Sequence, residues 1–573
     1  MLVALLAVPV ATSVLVLSGP TAGAGPTTAT QLGANADFTV LLEEGASRDA
    51  ALAAVRAAGG TLLKENTALG TMTVSAPSVG FVQKVAASQA ILGATRTRPI
   101  GRMPQEASAK AKRANDEVQT ENAGRATIQG NSHTPAVGMD PLDDRLWGLR
   151  MVRSHLAREH QPGDRKVLVG VLDSGVDATH PDIAPNLNLA LSRNFTVDIP
   201  FDETGAVVDG PCEFAGCVDP AGYDDSGHGT HVAGTIAAAA NGFGVSGVAP
   251  GVTLVSIRGG QDSGFVFLQP VLDALSYGAD IGLDVINMSF YIDPWLYNCR
   301  SNAADSPEAQ LEQRTTIAAV NRALNYAHRK GVTLVGSTGN NHEDLGHPRN
   351  DLSSPDFPAG ASYERVIDNS TCLDLPTEGN HVISVSALGP TSAKADYSNY
   401  GIEQTVVSAP GGWFRDGFGT PAHRVNENLI LSTHPRNVGM ANGWIDAAGN
   451  VTPAGEVAAV LKYCAGTQCA YYRYLQGTSM ASPHASAVAA LVVSEYGTRD
   501  RRHGGLTMEP NKVERALTRT AFDRPCPTPR LVSYANEGRP PEFDALCEGT
   551  TSFNGFYGNG TVDAFAAVTR GNR

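Results

Sequence analysis

Buried-strand patterns recur along the second two thirds of this chain. Lys166 to Leu172 is an almost unbroken apolar run closed by Asp173-Ser174-Gly175, as expected of a strand buried on both faces and ended by turn residues. Val332 to Val335 repeats the pattern and closes with Gly339-Asn340, and Asp284 to Phe290 holds a third such strand. Between and after them, Thr230 to Ala240 and the run from Ser479 through Val493 predict helices of small and apolar residues. Strands of this kind alternating with helices predict an α/β fold with a mostly parallel central sheet flanked by helices. Near the start the pattern changes. Phe38 to Leu42 reads as a strand, Arg48 to Ala58 as a helix, Thr61 to Ser75 as a hairpin, Ser78 to Ala87 as a helix and Ile91 to Thr97 as a strand. That β-α-β-β-α-β order predicts a small ferredoxin-like α+β module.

Three short segments carry reactive chemistry: Val171-Leu172-Asp173-Ser174-Gly175, His228-Gly229-Thr230-His231 and Gly477-Thr478-Ser479-Met480-Ala481. An alcohol is a weak nucleophile at its free pKa. Ser479 therefore needs an imidazole within hydrogen-bond reach and a carboxylate to hold that ring in one tautomer, and His228 and Asp173 are the candidates. Asp173 falls at the carboxyl end of its strand, where open α/β sheets place their sites. Ser479 opens a helix, whose dipole favours developing negative charge. His231 lies three residues after His228, but no carboxylate or cysteine at zinc-protease spacing accompanies the pair.

The three segments, in the order Asp, His, Ser, resemble those of the subtilisin-like serine peptidases. The likeness runs from about Asp140 to the end of the chain, interrupted near 194–222, 292–312, 341–379, 413–475 and 501–554 by segments rich in Gly, Pro, Asp and Asn. The resemblance implies a subtilisin-like catalytic domain in which Asn340 and the Ser479 backbone N–H donate to the tetrahedral intermediate, with Asn341 as a less well placed rival for that role. It implies a substrate-binding strand at Ser289, Phe290 and Tyr291, where the family commonly has two glycines after this strand and this chain has Tyr291-Ile292. Asp262, Ser263 and Gly264 are expected to form the facing edge, able to pair with an extended peptide. The loop through Ala239, Asn241, Phe243 and Val245, with Asp182 and Asp140, matches the family's structural calcium site. Such an oxygen-only donor set suits that ion. The N-terminal module resembles the inhibitory propeptide of the family, which blocks the cleft until it is cut.

Composition narrows the setting. The 573 residues carry a net charge of −14, with one short basic run at Lys110-Ala111-Lys112-Arg113, which disfavours binding to nucleic acid or an anionic membrane. Leu2 to Leu17 is apolar over signal-peptide length and is followed by Ala22-Gly23-Ala24, although no Lys or Arg precedes Arg48. The eight cysteines suit an oxidising compartment. Cys212/Cys217 and Cys464/Cys469 have the spacing of small local loops, and C-x₄-C is unusual for zinc. Cys299, Cys372, Cys526 and Cys547 remain, with a connectivity that sequence leaves open.

The expected organisation is a signal peptide at 1–24, a propeptide module at 37–98, a polar linker holding the maturation site at 99–139, and a peptidase domain at 140–573. The expected function is a secreted, monomeric serine endopeptidase acting on protein or peptide substrates, stabilised by calcium and held inactive by its own propeptide, with no membrane association once the signal is removed. Two alternatives stand beside it: a narrow processing peptidase acting on one partner, and a catalytically silent binding protein on the same fold.

Overall fold

The computed structural model describes residues 35–97, 99–102, 119–122, 140–201, 207–290, 294–355 and 362–572. The segment read as a signal peptide, most of the expected linker, and Tyr291-Ile292 lie outside the described residues. The centre is a seven-stranded sheet, all parallel, in the order Val407–Pro410, Val382–Leu388, Thr333–Ser337, Val285–Met288, Leu168–Leu172, Thr253–Arg258, Arg193–Asn194. Its strands are apolar on both faces because helices cover both. One cluster packs His228–Ala237 and Thr478–Tyr496 on one face; the other packs Leu268–Asp280 and Pro307–Arg329 on the opposite face. The helix Thr478–Tyr496 is buried along nearly its whole length, which explains a sequence with no polar face. Small residues permit the close packing: a Cβ on Gly234 would lie 2.3 Å from Thr433 Oγ1.

The N-terminal module is the expected β-α-β-β-α-β unit, an antiparallel sheet in the order Thr61–Asn66, Thr71–Pro77, Asn35–Leu42, Ile91–Arg96, with helices Arg48–Ala57 and Phe81–Ala86 on one face. Period-two alternation divides its first strand. Phe38, Val40 and Leu42 enter the module's own core, while Leu41 faces the other way and joins the core of the larger domain. The sheet therefore lies against the two helices Leu268–Asp280 and Pro307–Arg329. Gly93 sits so close to the second that a Cβ would meet Thr315 Oγ1 at 2.1 Å. Polar contacts fix the register: Lys64 Nζ and Asn66 Nδ2 each donate to Asp273 at 2.8 Å, and Arg322 Nη1 donates to the Leu42 and Leu69 carbonyls at 2.8 and 3.2 Å.

An insertion builds on this frame. Residues within 413–475 form an antiparallel sheet, Ile430–His434 with Gln468–Leu475 and Val460–Ala465, whose hairpin tip is closed by Cys464–Cys469. The other disulfides join Cys212–Cys217, Cys299–Cys372 and Cys526–Cys547. All eight cysteines are paired, so the zinc alternative is removed. The Cys299–Cys372 crosslink closes a loop of about 70 residues, for which the chain-entropy model gives about 4 kcal/mol.

Candidate active site

Three strand ends and two helix starts converge. Asp173 follows Leu168–Leu172, and Ser289 follows Val285–Met288; Asn340 comes shortly after Thr333–Ser337; His228 and Ser479 open the two helices that pack on this side. His228 Nδ1 lies 2.8 Å from Asp173 Oδ1, with both side chains buried. This bond fixes the ring and leaves Nε2, which has no hydrogen-bond partner among the described residues. The start of the His228 helix is held by a residue that sequence reading passed over. Asp224 Oδ2 accepts from Thr230 N (3.0 Å) and Thr230 Oγ1 (2.6 Å), and its Oδ1 accepts from Ser174 Oγ (2.9 Å) and Gly227 N (2.9 Å). A carboxylate at a helix N-terminus satisfies N–H groups that have no partner within the helix.

Ser479 stands in the first turn of its helix. Its Oγ donates to Ser289 O at 3.1 Å and accepts from Gln119 Nε2 at 3.3 Å. Asn340 is oriented by Thr478, whose N and Oγ1 both donate to Asn340 Oδ1 at 2.9 Å. A backbone N–H can only donate, so the amide oxygen faces Thr478 and the NH₂ group is the end left to donate elsewhere. Asn341 is placed differently: its backbone N–H donates to Asn399 Oδ1 at 2.9 Å. His231, the second histidine of the motif, sends Nε2 to the Ile430 and Arg473 carbonyls (3.1 Å each), and burial pushes its pKa down to about 3.

The residues expected to bind substrate are placed less simply. Ser289 lies behind the nucleophile, its Oγ donating to Ser479 O (3.1 Å) and contacting Ser482 Oγ (2.8 Å). Phe290 is buried in the hydrophobic core, packed there with its strand. Tyr291 lies outside the described residues. The facing edge is also shifted. Asp262, Ser263 and Gly264 form a turn, tied down by the Arg258–Asp262 ion pair and by Ser263 N and Oγ donating to Asp209 Oδ1 (3.0 and 2.6 Å). The strand that does the pairing is Phe265–Phe267, antiparallel to Pro99–Arg102 of the same chain. Burial pushes the Asp262 carboxyl up to about 7 even with Arg258 beside it.

The expected metal loop is brought together. Asp140 Oδ1 and Oδ2 accept from the N–H groups of Gly242 (2.8 Å) and Asn241 (3.2 Å); Asp182 Oδ2 accepts from Val245 N (3.1 Å) and Asp182 O from Ala239 N (2.7 Å). Asn241 Oδ1 accepts from Phe243 N at 2.9 Å. Tyr472 of the inserted sheet adds a hydroxyl, donating to Asp182 Oδ2 at 2.7 Å, a contact no motif announced. Burial, with Asp140 nearby, pushes the Asp182 carboxyl up to about 7. Asp140 and Asp182 are thus the two carboxylates of this loop that could hold a hard divalent cation, while Asn241 turns its Nδ2 towards Pro181 O (3.2 Å) and Asp182 Oδ1 (3.4 Å).

Residues 164–560 match the model of the subtilase family. The chain belongs to the subtilase family. Among curated proteins it is 27% identical to fervidolysin of Fervidobacterium pennivorans over 393 residues, covering 67% of this chain and 41% of that one. It is 25% identical to subtilisin DY of Bacillus licheniformis over 352 residues, covering 61% of this chain and 85% of that one. The chain thus spans less than half of fervidolysin's length. Among solved structures, the epidermin leader peptide processing serine protease of Staphylococcus aureus matches with a TM-score of 0.59 at 19% identity, covering 94% of this chain and 99% of that one. The fervidolysin structure matches at 0.54 and 21% identity, covering 94% and 61%. At these identities the two structures bear on fold alone.

Proposed function

We propose that this subtilase hydrolyses peptide bonds through an acyl-enzyme formed on Ser479. The observation that carries the reading is the buried 2.8 Å contact between His228 Nδ1 and Asp173 Oδ1, which leaves Nε2 without a partner among the described residues and able to accept a proton; Ser479 Oγ is bonded to Ser289 O and Gln119 here and has no bond to that nitrogen. In the attack, Ser479 Oγ turns from Ser289 O, gives its proton to His228 Nε2 and bonds to the scissile carbonyl carbon. The carbonyl oxygen takes the negative charge and is met by Asn340 NH₂ and the Ser479 N–H. Collapse expels the amine, which takes the proton from His228; water then repeats the sequence and frees the acid. Asp173 accepts from the Nδ1–H throughout and stabilises the imidazolium that forms.

The docked module and Gln119 at Ser479 support synthesis as an inactive precursor whose own propeptide is its inhibitor. Four disulfides support an oxidising, extracellular destination. Calcium, when bound, would be held by Asp140, Asp182 and the loop 239–245, and would stabilise the fold without entering the chemistry. A narrow processing role is favoured by one observation: the chain segment at Ser479 is gripped by side chains from the insertions. Ser479→Ala tests the core of the reading. It should abolish peptide hydrolysis and fluorophosphonate labelling while circular dichroism stays unchanged; hydrolysis at the parent rate would overturn the assignment.

A further inference from the structure

Residues 119–122 lie across the site. Gln119 reaches Ser479 Oγ with its side chain and accepts from Gln476 N with its carbonyl at 3.4 Å. Gly477, with φ +153°, leaves room for it; a Cβ there would meet Gln119 Nε2 at 2.8 Å. Two residues on, Glu121 enters a socket of two guanidinium groups. Arg415 Nε and Nη2 contact Glu121 Oε1 at 2.6 and 2.5 Å, and Arg539 Nη2 contacts Oε2 at 3.1 Å. One guanidinium serves each carboxylate oxygen.

The socket is held from behind. Arg539 Nε donates to Asp396 Oδ2 at 2.5 Å and its guanidinium lies 4.7 Å from the Phe543 ring centre; Arg415 Nη1 donates to Glu537 O at 2.5 Å. Asp396 is fully buried and balances the charge of Arg539. Arg415 has no carboxylate partner among the described residues other than Glu121. When the segment leaves, a fixed site with one unbalanced positive charge is exposed two residues from the nucleophile. Both arginines come from insertions, at 413–475 and 501–554, and neither belongs to the three segments that carry the chemistry.

We propose that Arg415 and Arg539 form a carboxylate-binding subsite that selects peptide or protein substrates with an acidic side chain on the carboxyl-terminal side of the residue held at Ser479, with Glu121 occupying it in the precursor. This rests on the serine peptidase reading above. A charged, bidentate contact discriminates Glu from isosteric Gln by about 10- to 100-fold.

The test uses enzyme matured from the full chain, with active sites counted by fluorophosphonate titration. Peptides identical except for Glu or Gln at each position after the cut are compared by kcat/KM. One position should favour Glu by about 10- to 100-fold. Arg415→Ala and Arg539→Ala should each reduce that ratio towards unity, and Arg415→Glu should reverse it in favour of Gln. Titratable enzyme that cuts Glu and Gln peptides equally at every position overturns the subsite alone. Enzyme that neither titrates nor cuts overturns the peptidase reading and the subsite with it. A preference for a free terminal carboxylate over a Glu side chain also contradicts the proposal. As an independent measure, the tetrapeptide Gln-Thr-Glu-Asn should inhibit at least about tenfold better than Gln-Thr-Gln-Asn; equal inhibition counts against it.

Discussion

Asn340 has two duties that substitution can separate. Its Oδ1 accepts from Thr478 N and Oγ1, which ties the loop after Thr333–Ser337 to the start of the Ser479 helix, and its NH₂ is the proposed donor to the oxyanion. Asn340→Ala removes both. Losing one such donor in a subtilisin is known to cost about 10²–10³ in turnover, or about 2.7–4 kcal/mol of transition-state stabilisation. Leaving Thr478 N buried without an acceptor costs about 1–3 kcal/mol of folding stability in addition. Asn340→Asp keeps the acceptor and loses the donor. Its melting temperature should stay near that of the parent while kcat falls at least as far as in the alanine variant, because a carboxylate would face the growing negative charge. KM should change little in both, since the bond strengthens only in the transition state. Asn341→Ala is the control and should stay within about twofold of the parent, as for a substitution outside the machinery. The assay is steady-state hydrolysis of one peptide with titrated enzyme, beside a thermal melt. Parent-level kcat in Asn340→Asp, or a larger loss in Asn341→Ala, would refute the assignment.

Chelating calcium should lower the melting temperature without changing kcat, through a loss of about 2.7 kcal/mol of stability where the ion was at a hundredfold excess over its dissociation constant; Asp182→Ala should erase that sensitivity, and equal melts with and without chelator would count against the site. The module 37–98 added in trans should inhibit the matured enzyme, and Lys64→Ala with Asn66→Ala should weaken inhibition by about tenfold through loss of the Asp273 contacts; an inert module would contradict the docking. Lys394 is fully buried, donates to the Ala395 and Ser398 carbonyls at 2.9 Å, and burial pushes its pKa down to about 7. Unfolded lysine keeps its proton to about 10.4, so the unfolded state binds more protons between the two values, and this group makes stability rise with pH across that window. Lys394→Met should flatten the slope in urea unfolding between about pH 7 and 9.5; an unchanged slope would show that the side chain is not buried as described.

What was legible in the sequence had a local signature. The strand ending at Asp173, the helix opened by His228 and the small-residue helix at Ser479 each combine a period with a stop signal, and the N-terminal module follows from its order of elements. Contacts between distant segments left no such mark. Tyr472 meets Asp182 across 290 residues, and Glu121 meets Arg539 across 418. The Asp262-Ser263-Gly264 edge was displaced because a turn and the start of a strand share residue preferences, and only the pairing of Phe265–Phe267 with Pro99–Arg102 separates them.

The account stands most directly on the identity of the acylated atom. Matured enzyme mixed with an activated ester, quenched in acid within the first turnover and digested, should carry the acyl group on the peptide containing Ser479, at one group per titrated site. His228→Ala should lose the rapid acylation phase. Acyl found on another residue, or a full burst in the His228→Ala enzyme, would contradict the assignment of Ser479 as nucleophile and His228 as its base.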